Sequence, residues 1–131
     1  MKIMLDSNCL DALLADDESA GELSNRRDLQ LYLTPVQRAE LAACPDPTRA
    51  ARLLALADGL CRLVQAPTDG DLTATASKHR HDSAILQAAG RHHALLVSLD
   101  EGLLVAASKL SVPALHWSLF LRKFVWNQTG H

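Results

Sequence analysis

The chain has 131 residues, of which 48% are hydrophobic and 21% are charged, as is typical of one globular domain spanning residues 1–131. Its formal net charge of −2 excludes a global attraction to nucleic acid, so any such binding must depend on local basic residues or a metal ion. No apolar run approaches about 18 residues, which excludes a membrane-spanning segment. Three cysteines without a C-x-x-C spacing favour free thiols and a cytoplasmic location.

The chain begins with a strand-like run, residues 2–5, that leads directly into Asp6. Residues 9–14 follow with the apolar spacing of a helix. A strand that ends in an acid and turns at once into a helix places this acid at the carboxyl end of a sheet, where open α/β sheets bind ligands. Asp6 is therefore either a functional group or a helix cap, since Asp is also a common cap.

The next segment predicts a second strand and a helix that carries an acid. A polar break at 15–19 precedes a short helix at 20–26, and the period-two alternation of 29–33 predicts a strand. Thr34 and Pro35 are a strong helix start, with Gln37 at the capping-box position. Glu40 lies one turn after Val36, on or beside the buried face, where a carboxylate needs a cation or hydrogen-bond donors. The residues expected to face the core are Val36, Ala39 and Ala43.

The second half of the chain continues the alternation of strands and helices. Asp46 begins a helix that runs to Gly59, a strand lies within 60–66, a turn at 67–71 leads into a short helix to about Lys78, and Asp82 opens another helix. The most apolar strand, 94–99, ends at Asp100, and a helix follows at 101–110. A last strand at 112–115 is expected at an edge, because Pro113 cannot donate to a ladder. This order predicts a parallel, doubly wound sheet.

Four acids stand out by their positions in these elements: Asp6, Glu40, Asp82 and Asp100. If the strand after Asp82 lies beside the first strand, Asp6 and Asp100 flank the crevice where the strand order reverses. Clustered carboxylates repel one another, and all-oxygen ligation of a bridging cation indicates Mg²⁺ or Mn²⁺. Two metals held in this way can activate a water and stabilise the leaving oxygen of a phosphodiester. The alternative is that each acid only caps a helix.

Four short motifs resemble those of the PIN-domain nucleases, most of all the small VapC-type toxins of bacterial toxin–antitoxin pairs: Leu5-Asp6-Ser7-Asn8, Glu40-Leu41, Asp82-x-x-Ile85 and Ser98-x-Asp100. The resemblance implies a three-layer α/β/α fold with a parallel sheet of about five strands. It also implies a Mg²⁺- or Mn²⁺-dependent endoribonuclease. The catalytic, metal-binding quartet would be Asp6, Glu40, Asp82 and Asp100, and Asn8 and Ser98 match small polar positions that support the site. The chain departs from many members at Leu103, where they carry a further acid.

Partners are expected to bind through basic and aromatic residues. Phosphate contacts to an RNA substrate are expected from Arg38, near Glu40, and from Lys78 and Arg80, just before Asp82. The C-terminal segment has amphipathic helical spacing, carried by Trp117, Phe120, Leu121 and Phe124. It is expected either to pack over the sheet edge or to dock a second copy in a homodimer or an antitoxin protein.

Other classes of protein stay open at this point. A Mg²⁺-dependent phosphoryl-transfer enzyme of the haloacid-dehalogenase type would need a second Asp where this chain has Asn8, and also a Lys partner. A PIN nuclease that processes RNA without an antitoxin would have the same acids. A non-catalytic PIN module that binds RNA or protein is disfavoured by the presence of all four.

Overall fold

The computed structural model describes residues 1–65 and 78–126, without the side chains of 78–81. The described strands are β1 (Lys2–Leu5), β2 (Gln30–Leu33), β3 (Arg62–Leu63), β4 (Leu95–Ser98) and β5 (Ala114–His116). The described helices are α1 (Ser7–Leu14), α2 (Asp17–Asn25), α3 (Pro35–Ala42), α4 (Pro47–Leu60), α5 (Lys78–Arg91), α6 (Glu101–Lys109) and α7 (Trp117–Phe120), which continues as a π-helical segment, Leu121–Trp126.

The five strands form one parallel sheet in the order β3-β2-β1-β4-β5. The chain builds outward from β1 to β3 and then crosses over to place β4 on the other side of β1. Leu5, the last residue of β1, pairs with Val97 of β4. The strand order therefore reverses between β1 and β4, as the doubly wound prediction requires.

Hydrophobic clusters cover both faces of the sheet. Ile3 and Leu5 point into a first cluster, which is completed by side chains of α1, α2, α4 and α7. Met4 points to the opposite face, into a second cluster formed mainly by α5 and α6. Because successive residues of a strand face opposite sides, one apolar run serves both clusters. The result is a three-layer α/β/α architecture, as the resemblance to PIN domains implies.

Side-chain caps explain where two of the helices begin. Thr34 caps α3 and accepts a hydrogen bond from the backbone N–H of Gln37 at 3.3 Å, as predicted. Asp16 caps α2 and accepts from the backbone N–H of Ser19 at 3.1 Å. The expected polar break at 15–19 is wrong for this reason, since a helix begins inside it at Asp17.

Two further expectations about helices are corrected. Helix α5 begins at Lys78, so Asp82 lies within its second turn and does not open it. In α3, the predicted buried face is rotated: Ala39 and Ala43 are exposed, whereas Gln37 is buried. Gln37 tolerates burial because its side chain hydrogen-bonds to the hydroxyl of Thr34. The turn expected at 67–71 and the short helix after it lie outside the described residues.

The C-terminal aromatic side chains pack against the core. Trp117 and Phe120 are both buried in the first cluster, and the ring of Phe120 lies 5.6 Å from those of Trp117 and Phe124. This agrees with the packing alternative for these two residues. Within the described ranges, every helix falls short of the length and apolar character that a membrane span requires.

Candidate acidic site

Asp6 is a buried carboxylate with a fixed orientation. It follows β1, and its backbone N–H donates to the carbonyl of Val97 at 3.1 Å, which ties it to β4. Its Oδ1 accepts from the backbone N–H of Ser7 at 2.9 Å, and its Oδ2 accepts from the hydroxyl of Ser98 at 2.8 Å. Asp6 therefore caps α1. It is also a buried acid, only 9% exposed, whose hydrogen bonds fix its carboxylate at the carboxyl end of the central strands.

Ser98, the last residue of β4, links two of the four acids. Its fully buried hydroxyl donates to Asp6 and accepts from the backbone N–H of Asp100 at 3.0 Å. The Nδ2 of Asn8 lies 3.5 Å from the same hydroxyl, and the Oδ1 of Asn8 accepts from the backbone N–H of Leu99 at 3.3 Å. Asn8 and Ser98 thus join α1 to the turn between β4 and α6.

Asp100 caps α6 at the other side of the crossover. Its Oδ1 accepts from the backbone N–H groups of Gly102 at 2.9 Å and Leu103 at 3.3 Å. A Cβ at position 102 would lie 3.2 Å from that oxygen, so glycine keeps the cap uncrowded. The amino end of a helix favours negative charge, which helps to keep a carboxylate ionised there.

Asp82 and Asp100 line one pocket between α5 and α6. The pocket has a volume of about 580 Å³, and its other lining residues are Ser83, Leu86, Gly102, Ala106, Lys109 and Leu110. Because Asp82 lies inside α5, capping does not explain its presence here. The structure thus brings Asp6 and Asp100 together through Ser98, and Asp82 and Asp100 together around this pocket.

Glu40 reaches the same region through Ser7, a residue of the first motif to which the sequence analysis gave no role. The hydroxyl of Ser7 donates to Oε1 of Glu40 at 3.2 Å, and Ser7 directly follows Asp6. Glu40 is half-buried on α3, as its position beside the buried face predicted. The available signal for Ser7 was its place in the turn between β1 and α1, next to the first acid.

The donors of this site suit a hard divalent cation in chemical type. Asp6, Asp82, Asp100 and Glu40 offer carboxylate oxygens, the ligands that Mg²⁺ and Mn²⁺ prefer. No three His, Cys, Asp or Glu side chains in the described part of the chain stand close enough together to hold a metal ion. One or two carboxylates are nevertheless the usual protein contribution to a Mg²⁺ site, with waters and phosphate oxygens completing it. The residues present therefore fit such an ion by donor type.

The basic residues expected to contact phosphate have different surroundings. Arg38 forms a two-pronged ion pair with Asp58, with Nε–Oδ1 and Nη2–Oδ2 distances of 3.1 and 3.0 Å, which joins α3 to α4. Hydrogen bonding to Asp58 raises the pKa of Arg38, and the same bond lowers the pKa of Asp58. The side chains of Lys78 and Arg80 lie outside the described residues.

Comparison with known proteins identifies the fold. No protein-family model matches the chain, and no curated protein matches its sequence. Solved structures do match, among them the PIN domain endonuclease Utp24, at a TM-score of 0.65 and 18% identity over 88% of this chain and 84% of that chain. A PilT N-terminus domain protein from the archaeon Sulfolobus solfataricus matches at 0.63 and 16%, over 92% and 91%. A chain of VapBC2 from Rickettsia felis, solved with a DNA fragment from their promoter, matches at 0.60 and 10%, over 89% and 99%.

These neighbours share one architecture. The chain has the PIN-domain fold, and the resemblance that its motifs suggested is confirmed at the level of the fold. At 10–18% identity, the likeness shows the fold alone, and the chemistry has to be argued from the site.

Proposed function

We propose that this chain is a Mg²⁺- or Mn²⁺-dependent endoribonuclease that hydrolyses RNA phosphodiesters. Asp6, Asp82 and Asp100 are its central catalytic residues and metal ligands, with Glu40 as the fourth acid. The observation that carries the proposal is the hydroxyl of Ser98, which links Asp6 and Asp100 at the strand crossover, beside the pocket that Asp100 shares with Asp82. The likeness to a PIN domain endonuclease supports it.

The residues of the chain have separable tasks in this proposal. A bound divalent cation would supply a water of lowered pKa and stabilise charge on the phosphate. Ser98 and the backbone N–H of Ser7 fix the two oxygens of Asp6, so its carboxylate needs no rearrangement before the reaction. Asn8 holds the turn that carries Asp100, because it bonds the backbone of Leu99. Ser7 orients Glu40 toward the same edge of the sheet.

Cleavage of RNA by the purified chain is the direct test. We expect cleavage with Mg²⁺ or Mn²⁺, and a loss of at least about a hundredfold for Asp6→Asn, Asp82→Asn or Asp100→Asn. The three losses should be similar, because residues that act as one unit are non-additive. Asp17→Asn, which neutralises an exposed acid of α2, is the matched control and should leave the rate unchanged. Wild-type rates in excess EDTA would remove the metal from the proposal.

The biological role that we propose is that of the toxin in a type II toxin–antitoxin pair, in the cytoplasm, with an antitoxin protein as partner and a homodimer as its assembly. It is supported by the VapC-type motifs and by the likeness to a chain of VapBC2. Expression of the chain alone should inhibit translation and growth, and Asp6→Asn should relieve the inhibition. Equal growth of both strains at matched soluble expression would instead favour a nuclease without an antitoxin or a non-catalytic PIN module.

A further inference from the structure

The pocket between α5 and α6 extends well beyond the two acids. On α6, Gly102, Ala106, Lys109 and Leu110 follow the spacing of one helix face, so the pocket runs along the helix from its amino end to its last turn. Asp100 lies at the first end and Lys109 at the other. The volume of about 580 Å³ is within the usual range for a site that holds a small organic group.

The floor of the pocket is apolar. It includes Leu86, which is buried, and Ala106, which is half-buried. Leu110, which directly follows α6, lines the far end of the pocket and is 62% exposed, so most of its apolar surface is open to a bound group. A flat aromatic group seated here would cover Leu110 and remove its surface from water.

Lys109 lies at the opposite end of α6 from Asp100. It is therefore placed to contact a different RNA phosphate from one that lies beside the acids. It lies nine positions after Asp100 along α6, which is about 13 Å along the helix axis. The three ion pairs within the described residues involve Arg26, Arg38 and Arg49, and Lys109 takes part in none of them. Its place in the last turn of α6 also suits the helix dipole, a purely structural role that the test below separates.

We propose that this pocket binds one unstacked nucleobase of single-stranded RNA next to the phosphate that is cleaved, and that Lys109 contacts the phosphate of a neighbouring nucleotide. The proposal rests on the proposed function, since it places the RNA relative to the same acids. Single-stranded RNA fits better than a duplex, because only an unpaired base can leave its stack and enter a pocket. Leu86, Ala106 and Leu110 offer packing without hydrogen-bond readout, so a weak base preference is expected.

The test is RNA binding by full-length protein that carries Asp6→Asn, a substitution outside the pocket. Binding of a short fluorescent single-stranded RNA of randomised sequence is measured by anisotropy in Mg²⁺ over a series of salt concentrations. Lys109→Met should weaken binding severalfold and reduce the slope of log K against log salt by about 0.7, the value of one phosphate contact on a single strand. Leu110→Ala should also weaken binding, but with the slope unchanged. Lys2→Met makes the same charge change at the exposed first residue of β1, at the opposite end of that strand from Asp6, and is the control.

The possible outcomes separate this inference from the proposed function. Cleavage of the RNA probe by the Asp6→Asn protein would contradict the proposed catalytic site. The comparison of binding among the pocket variants would still test the pocket. A Lys109→Met slope equal to that of the Lys2→Met control would overturn the pocket assignment, even if cleavage is confirmed. A parent protein that binds no RNA would overturn it as well. A purely structural effect on α6 would weaken the binding of Lys109→Met without changing the salt slope, and that result would also overturn the assignment.

Discussion

The hydroxyl of Ser98 lies 2.8 Å from Oδ2 of Asp6, across 92 positions of the sequence. Ser98 is the last residue of β4 and Asp6 directly follows β1, so the pairing of these two parallel strands brings them together. Ser98 has one hydroxyl proton, which it donates to Asp6, and its lone pair accepts from the backbone N–H of Asp100. One small side chain thus sets the position of two acids.

Replacement of this hydroxyl should impair activity more than it impairs the fold. Ser98→Ala leaves the half-buried backbone N–H of Asp100 without this acceptor and the buried carboxylate of Asp6 without one donor. A stability loss of about 1–3 kcal/mol is expected. The RNA cleavage rate should fall about 10- to 100-fold, as is typical when the support of a catalytic ligand is removed. Denaturant unfolding and single-turnover cleavage measure the two effects.

The control for this variant is Ser24→Ala. Ser24 is exposed, and its hydroxyl donates only to the nearby carbonyl of Gly21 at 2.8 Å, so neither quantity should change by much. If Ser98→Ala cleaves RNA at the wild-type rate, then Ser98 packs the strand end and does not orient the acids.

The sequence predicted the sheet and the positions of Asp6 and Asp100 because both depend on local patterns. A short apolar run, an acid and a helical repeat specify a strand, a turn and a helix within about ten residues. The crossover required one further assumption, that β4 lies beside β1, and the strand order confirms it. The start of α2 was harder to predict from the sequence, because Asp16 and Asp17 are both plausible helix caps within one acidic run.

The pocket and the contact of Ser7 with Glu40 could not be predicted from the sequence. Each depends on how two helices pack, and a rotation of α3 by a fraction of a turn decides whether residue 39 or residue 40 is half-buried. Lys109 illustrates the same limit. Its sequence position indicates only a solvated charge at a helix end, and its relation to Asp82 appears only in the folded protein, where both residues line one pocket.

The C-terminal segment is expected to contribute strongly to stability. Phe120 is fully buried between Trp117 and Phe124, so Phe120→Ala should lower the free energy of unfolding by about 3–5 kcal/mol. Leu119→Ala, at the neighbouring position with 41% exposure, should change it by less than about 0.5 kcal/mol. Urea unfolding of both variants checks this. Equal, small losses would show that the segment is not part of the core.

Two thiols, those of buried Cys9 and half-buried Cys61, should make the protein less stable at alkaline pH. Burial raises the pKa of Cys61 to about 12, with a smaller contribution from Asp58, and burial also raises the pKa of Cys9 well above its ordinary value of 9.0. Above about pH 9 the unfolded chain releases these protons while the native protein keeps them. Stability is therefore fully present below pH 9 and falls toward pH 12, by up to about 1.4 kcal/mol per pH unit for each thiol.

The free energy of unfolding from about pH 7 to about pH 11 measures this slope. Cys61→Ala removes one of the two thiols and should make the decline less steep, while other groups that titrate in this range affect both proteins equally. Parallel profiles for wild type and Cys61→Ala would contradict a protonated Cys61 thiol in the native state.

Thermal melts with and without metal test the shared acidic site independently of RNA. An ion that binds only the native state at ten times its dissociation constant stabilises it by about 1.4 kcal/mol, or a few degrees of melting temperature for a domain of this size. Mn²⁺ should therefore raise the melting temperature of the wild type above its value in EDTA. The increase in melting temperature should be much smaller for Asp82→Asn. Residue 82 lies within α5 and not at its start, so this substitution removes no helix cap. Asp17→Asn should respond like the wild type. Equal shifts in all three proteins would place any bound metal away from Asp82.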